Sequence, residues 1–351
     1  MNGISLKSIK CESIKSIFTT IADADKITRA DISAATDLSL VTIGKVADAL
    51  LDMNIVCQVK EVKPHAGRRA GQLTVNPDMF AVIIDMTSYN FRLSILNLRL
   101  DLIDKSMYTY DETRCFDDNF TIFMNDTYSF IRRRYNIDNC IGIGISSPGP
   151  YNKGDDRINT GRIPELCGMK LNDTIHRYFK NIPILIDSHI NAAARSNVMH
   201  INGYKTKNII YWYVSMQNLC GAYLVNGEII LGRDRHACDF GKMIDQNGIT
   251  LEKRISACKC AADFARVLSQ PVHNIIKILN PHAIIMEFDI PFGFDDIMPI
   301  MKKIMMLEYH YSSDDFPEFH KTCCKFRNSH RGLTMALRDS WIDDLVFKEE
   351  K

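Results

Sequence analysis

The stretch Pro183-Ile184-Leu185-Ile186-Asp187-Ser188-His189-Ile190-Asn191-Ala192-Ala193-Ala194 sets an apolar run against polar residues and then a run of small ones. Ile184 to Ile186 is short and apolar, as a buried strand is. Asn191 to Ala194 opens a helix of small residues. A strand that runs into a helix in this way belongs to an α/β fold.

The same alternation recurs outward from this segment. Ile141 to Ser146 reads as a strand ending in Pro148-Gly149-Pro150. Ala81 to Met86 reads as a buried strand, with Phe91 to Leu98 as its hairpin partner. Phe120, Phe123, Met124, Tyr128 and Ile131 form a helical stripe. Further on, Ile209 to Val214 and Gly221 to Val225 predict a second hairpin. Val272 to Leu279 predicts a helix, Ala283 to Met286 a strand and Leu333 to Val346 a final helix. The α/β body starts after Asn76-Pro77.

Ahead of it the chain reads differently. Ile9, Ile14, Ile17, Phe18 and Ile21 fall at helical spacing. Thr28 is placed to cap a short helix through Ala35, with Asp31 in capping-box position. Asp37-Leu38-Ser39 reads as a turn, and Ser39 as the cap of a second helix with Ile43, Val46, Ala47, Leu50 and Leu51 inward. Ile55 to Val59 and Gln72 to Val75 read as two strands flanking a basic, glycine-containing tip. Two short helices, a tight turn and a strand pair predict a winged helix-turn-helix.

At 351 residues the chain is too long for one ordinary core. Its 46% hydrophobic and 24% charged residues are those of a soluble globular protein. A net charge of +1 says nothing about nucleic acid or membranes. No run reaches the roughly 20 apolar residues of a membrane helix, and residues 1–7 lack the order of a signal peptide. Eleven scattered cysteines then read as reduced thiols in a cytoplasm.

The Ile184 segment resembles the catalytic segment of the ROK family of sugar kinases and sugar-responsive repressors. Gly67-Arg68-Arg69 is similar to that family's Gly-Arg-Pro, Ile141 to Pro150 to its strand ending in Pro-Gly, and Asp234 to Met243 to its Glu-x-Gly-His segment. The shared order runs from about residue 10 to the C-terminus. The resemblance implies a winged helix-turn-helix over 1–75 followed by a two-lobed α/β, ribonuclease-H-like body of the actin and hexokinase type. The lobes would span 76–187 and 188–351, the last helix packing back on the first lobe.

The departures bear on function. The family's kinases carry Asn-Asp, whose Asp is the general base, where this chain has Ser188-His189. Asp85-Met86-Thr87-Ser88 replaces a glycine-containing phosphate loop, and glycine is what lets backbone amides approach phosphate. Ser215 to Gly221 keeps one glycine of a second such loop, and Glu287-Phe288 stands for a glycine pair beyond the late strand. No catalytic residue, no cofactor and no enzyme activity are therefore expected. The family's zinc ligands are also missing: its His is Lys242, and its Cys loop is reduced to Asp245-Gln246-Asn247-Gly248. Cys258-Lys259-Cys260 reads as two thiols on a helix, and His320 with Cys323-Cys324 as no better a site.

Matched segment to segment, the sugar-binding positions fall on Arg162, Ser188, His189, Asp239 and Lys242. The set reads either as a site for an anionic sugar, such as a sugar phosphate or sugar acid, with Arg162 as a bidentate clamp, or as solvated and self-paired groups, Asp239 with Lys242.

Residues 1–79 hold ten Lys and Arg against nine Asp and Glu, a net of +1. The basic charge is local to the wing tip. Arg68 and Arg69 suit a narrow minor groove. Ser39, Leu40, Thr42 and Lys45 suit phosphates, base edges and a thymine methyl. The alternative is a winged helix that mediates protein contacts only. The resulting expectation is a transcriptional regulator of carbohydrate metabolism. It would repress, bind double-stranded DNA as a homodimer or homotetramer, and answer to a sugar or sugar-phosphate effector without contact with membranes. The competing reading is an active ROK-type sugar kinase with an added DNA-binding head. In a third, the apolar C-terminal helix with Leu337, Trp341, Leu345 and Phe347 docks a protein partner in place of an inducer.

Overall fold

Three helices come first, and two of them start on caps within the local sequence. The computed structural model describes residues 11–59, 71–322 and 328–348. Helix α1 (Cys11–Asp23) buries Ile14, Ile17, Phe18 and Ile21. Helix α2 (Arg29–Thr36) is capped by Thr28, whose side chain and Asp31 form a reciprocal capping box. It ends at Asp37, which adopts the left-handed conformation at φ 55. Ser39 then accepts from Thr42 N and starts α3 (Leu40–Asp52), which buries Ile43, Val46, Ala47 and Leu50. Strands β1 (Val56–Val59) and β2 (Gln72–Val75) follow as an antiparallel pair, and Ile27 bridges to Leu73. The expected tip, with Arg68 and Arg69, lies outside the described residues.

The body holds two five-stranded sheets with the same strand grammar. Strands β3 (Phe80–Asp85), β4 (Arg92–Asn97) and β5 (Leu102–Met107) form an antiparallel meander. Helix α4 (Phe116–Arg134) leads to β6 (Cys140–Ser147), which lies parallel to β3. After the two-residue strands β7 (Tyr151–Asn152) and β8 (Arg157–Ile158) come α5 (Leu171–Tyr178) and β9 (Ile184–Ser188), giving the order β5-β4-β3-β6-β9. Helix α6 (His189–Val198) opens the second half.

There β10 (Asn208–Ser215), β11 (Leu219–Val225) and β12 (Glu228–Ile230) repeat the meander. Helices α7 (Leu251–Ser256) and α8 (Ala261–Leu279) precede β13 (Ala283–Asp289), parallel to β10. Helix α9 (Phe294–Glu308) and β14 (Glu318–Lys321) complete the order β12-β11-β10-β13-β14, and α10 (Asn328–Lys348) ends the fold.

Two compact units result, one of 1–148, 155–187 and 333–351, the other of 149–154 and 188–332. In the first, every β3 residue is buried. A Cβ at Gly142 would stand 2.7 Å from Leu337 Cδ2, and one at Gly144 would stand 3.1 Å from Leu333 Cβ. The missing side chains on β6 thus let α10 lie against the strand. Leu337 is buried and the Trp341 ring meets Phe18 edge-on at 6.3 Å, so this face is packed rather than free for docking. Leu345 is half-buried, and Phe347 lies beyond the described side chains.

In the second unit, alternate β10 residues serve two cores. Ile210, Trp212 and Val214 pack with Phe264, Leu268 and Met301. Ile209 and Tyr211 pack with Ile190 and Ala194 of α6.

Two elements depart from expectation. Helix α8 starts eleven residues before Val272, with Pro271 in its interior. An apolar stripe of Phe264, Leu268, Val272 and Ile276 outweighs the local cost of proline. Cys260 is accordingly the N-cap of α8, with Cys258 and Lys259 ahead of it, and not two thiols on a helix. Strand β13 runs three residues past Met286, so Glu287 and Phe288 lie inside the strand opposite Tyr213 and Val214. With side chains in place of glycines, the chain extends and pairs.

Candidate functional site

The segment from Pro183 to Ala194 folds as a strand running into a helix, with β9 feeding α6. Ser188 caps α6 by accepting from Asn191 N at 3.2 Å. His189 is the first helical residue, and its ring meets Tyr213 edge-on at 6.3 Å. The alanines that follow serve packing. A Cβ on Gly332 would lie 1.7 Å from Ala192 O, so the start of α10 touches the backbone of α6.

The two loops read as degraded phosphate cradles are closed on themselves. Asp85 Oδ1 accepts from Thr87 N at 2.9 Å and from Thr87 Oγ1 at 2.6 Å. In the second loop Ser215 N donates to Asn218 O at 2.9 Å, and Asn218 N donates to Ser215 Oγ at 3.0 Å. The amides of Thr87, Ser215 and Asn218 are thus bonded within their own loops. Gly221, the surviving glycine, is required by packing: a Cβ there would stand 2.3 Å from Tyr211 O and 2.4 Å from the Phe240 ring.

Beside this loop lies a set of residues the sequence reading missed. Tyr211 donates to buried Glu287 at 2.7 Å, Asn328 Nδ2 donates to the same carboxylate oxygen at 3.3 Å, and Tyr213 donates to Asp289 at 2.8 Å. Burial and the Glu287 charge push the Tyr211 phenol well up, and burial with Asp289 does the same to Tyr213. The only signal in the sequence was the pair of tyrosines two residues apart on one strand and the pair of acids two apart on another.

Asp239 and Lys242 share one 3-10 turn, Phe240–Lys242 with Asp239 as its cap. They do not pair side chain to side chain. Lys242 Nζ instead bonds Glu252 Oε2 at 2.8 Å, which corrects the self-paired alternative. Burial raises the Asp239 carboxyl, against the pull of Lys242. A Cβ at Gly241 would meet Glu252 Cγ at 2.5 Å, so the glycine of this segment makes room for that glutamate. Arg162 stands exposed in the first unit, its backbone N donating to Thr160 Oγ1 at 3.1 Å. Ser188, His189, Asp239 and Lys242 therefore belong to the second unit and Arg162 to the first.

In the N-terminal segment, α3 presents Leu40 at 58% exposure and Val41 at 69%, with Lys45 also exposed. The hydroxyls of Ser39 and Thr42 are 3.0 Å apart in the cap. Asp48 is ion-paired with Arg29 of α2. No helix among the described residues is long and apolar enough to cross a membrane.

No family model matches the chain. In sequence it is similar to a xylose repressor from Caldicellulosiruptor bescii, 23% identical over 291 residues, covering 74% of this chain and 66% of the repressor. The match thus spans just under two thirds of that protein's own length. In structure it is similar to a ROK-family transcriptional regulator described as a homolog of the E. coli MLC protein, with TM-score 0.71, 14% identity, and coverage of 96% of this chain and 99% of that one. A putative sugar kinase from Cytophaga hutchinsonii matches with TM-score 0.61 and 13% identity, over 74% of this chain and 99% of its own. The body therefore has the two-lobed fold of ROK-family proteins, and the resemblance read from the sequence is borne out.

Proposed function

We propose that this chain is a DNA-binding transcriptional regulator of carbohydrate metabolism, a repressor, with residues 1–75 as a winged helix-turn-helix. The two body lobes, 76–187 and 188–351 with the last helix packing back on the first, act as ligand sensor or subunit-pairing module. The observation that carries the reading is coverage. A solved regulator accounts for 96% of the chain, whereas a sugar kinase of the same fold accounts for 74%.

Helix α3 suits the recognition role. Leu40 and Val41 offer apolar contacts for thymine methyls, and Lys45 a charge for phosphate. Ser39 and Thr42 set the helix start through their cap and reach DNA from there. Arg68 and Arg69, between β1 and β2, complete the reading head in the minor groove. The effector is a sugar or sugar phosphate, and the residues proposed for it are Ser188, His189 and Asp239 in the second unit and Arg162 in the first. Lys242 exchanges Glu252 for the ligand. The regulator works as a homodimer or homotetramer on double-stranded DNA.

The kinase alternative draws on the shared body fold. Against it stand the internal hydrogen bonds at Asp85 and Ser215 and a buried Glu287 in place of glycine. Two measurements decide. Sequencing of genomic fragments retained by the purified protein is expected to return a two-fold symmetric site released by one sugar class. Incubation of the same protein with MgATP and a hexose panel is expected to give no sugar phosphate. Absence of any retained site, or turnover of a hexose, would overturn the proposal.

A further inference from the structure

The ends of α4 and α5 and the chain just beyond each border a hollow of about 770 Å³, open to solvent, in the first unit. Arg132, Arg177 and Lys180 line it, and Asp138 is the one acid on its wall among the described residues. No carboxylate among those residues pairs with any of the three cations. The contrast with Arg134, in the same helix turn as Arg132, is direct, since Arg134 bonds Asp104 at 2.7 Å. Tyr128 and Phe179 meet edge to face at 5.7 Å on the wall, and the Arg132 guanidinium stands 5.7 Å from the centre of the Tyr128 ring.

Cations in the last turn of a helix complement its dipole, and this accounts for Arg132 on α4 and Arg177 on α5. It does not account for Lys180, which lies beyond α5, nor for the convergence of all three on one hollow. Like charges on a concave wall raise the local potential and attract an anion. Guanidinium groups take phosphate oxygens in pairs, and a tyrosine face accepts a ring beside them.

We propose that this hollow binds a small phosphorylated metabolite, at a site separate from every residue assigned above to DNA or to the effector. Arg177 and Lys180 hold the phosphate. Arg132, stacked on Tyr128, closes one side. The inference does not depend on the regulator reading, because it rests on the first unit alone.

Calorimetric titration of the full chain with pyrophosphate tests it. Saturable binding of one pyrophosphate per chain is expected. The affinity should fall about tenfold or more in Arg177→Gln and in Lys180→Gln, since each removes a charge-assisted bond. Arg133→Gln, on the same helix but off the wall of the hollow, should leave it unchanged, as should Arg162→Gln. No saturable binding, binding indifferent to the first two substitutions, or binding lost with Arg162→Gln would each overturn the proposal. So would capture of an acidic peptide, but not of pyrophosphate, by the same residues.

Discussion

Arg338 of the C-terminal helix stands 3.4 Å from Asp23 of the first helix, 315 residues away in sequence, with its side chain only 2% exposed. The same guanidinium donates to Leu98 O at 3.1 Å and lies 6.0 Å from the centre of the Phe18 ring. Lys15 and Asp343 extend the seam at 2.6 Å. The N-terminal helices are therefore fastened to the body through α10, by a buried cation whose Nε finds no partner among the described residues.

Arg338→Met should destabilise the fold by about 2–3 kcal/mol. Breaking a buried pair costs more, but Asp23 is half-exposed and can be hydrated once alone. Asp23→Asn should cost at least as much, about 3 kcal/mol, because it leaves the buried guanidinium without its counter-charge, with only Leu98 O and a neutral amide to accept from it. Urea unfolding of both variants checks the order of the two effects.

Gly332→Ala should be among the most damaging single-methyl changes in the chain. Its Cβ would meet backbone at Ala192, which cannot rotate away, so α10 must shift from α6. Gly161→Ala meets nothing within 4 Å and should be neutral. A loss of about 3 kcal/mol or of soluble expression in the first, against none in the second, is the expected pair of results.

The two roles on α3 should separate by assay. Ser39→Ala removes a cap and should cost about 1 kcal/mol of stability. Lys45→Ala should leave the melting temperature alone while weakening operator binding. It should also flatten the dependence of log K on log salt by about one unit of slope. Arg68→Ala with Arg69→Ala should weaken binding further. Equal salt slopes for wild type and Lys45→Ala would remove that residue from the interface.

Asp263 gives a pH signature at the start of α8. The amides of Lys259 and Cys260 donate to its carboxylate at 3.0 and 3.2 Å, and these bonds hold the carboxyl below its usual range. The folded value is below the unfolded one. The stabilisation is therefore complete above about pH 4 and is lost as pH falls through the folded value. Asp263→Asn should shrink the loss of stability below pH 4, measured by thermal melts from pH 6 to pH 2.5, and leave the slope above pH 5 unchanged.

What could be read directly from the chain was local or periodic. The caps at Thr28 and Ser39 depend on residues three positions away, and both form as spelled out. The strands around Ile83, Ile143 and Ile210 announce themselves by apolar runs, and the order of motifs pointed to the two-lobed fold. Of the proposed effector residues, sequence brought together only neighbours: Ser188 with His189, and Asp239 with Lys242.

Tertiary structure decided everything that depends on a distant partner. It gave Lys242 to Glu252 and Arg338 to Asp23, carried α8 through Pro271, and drew Glu287 into a strand beside Tyr211. Propensities and caps are energies of a few neighbouring residues, so the sequence states them outright. The energy of a buried charge, a proline inside a helix or a glycine under another backbone is set by groups that only folding brings near.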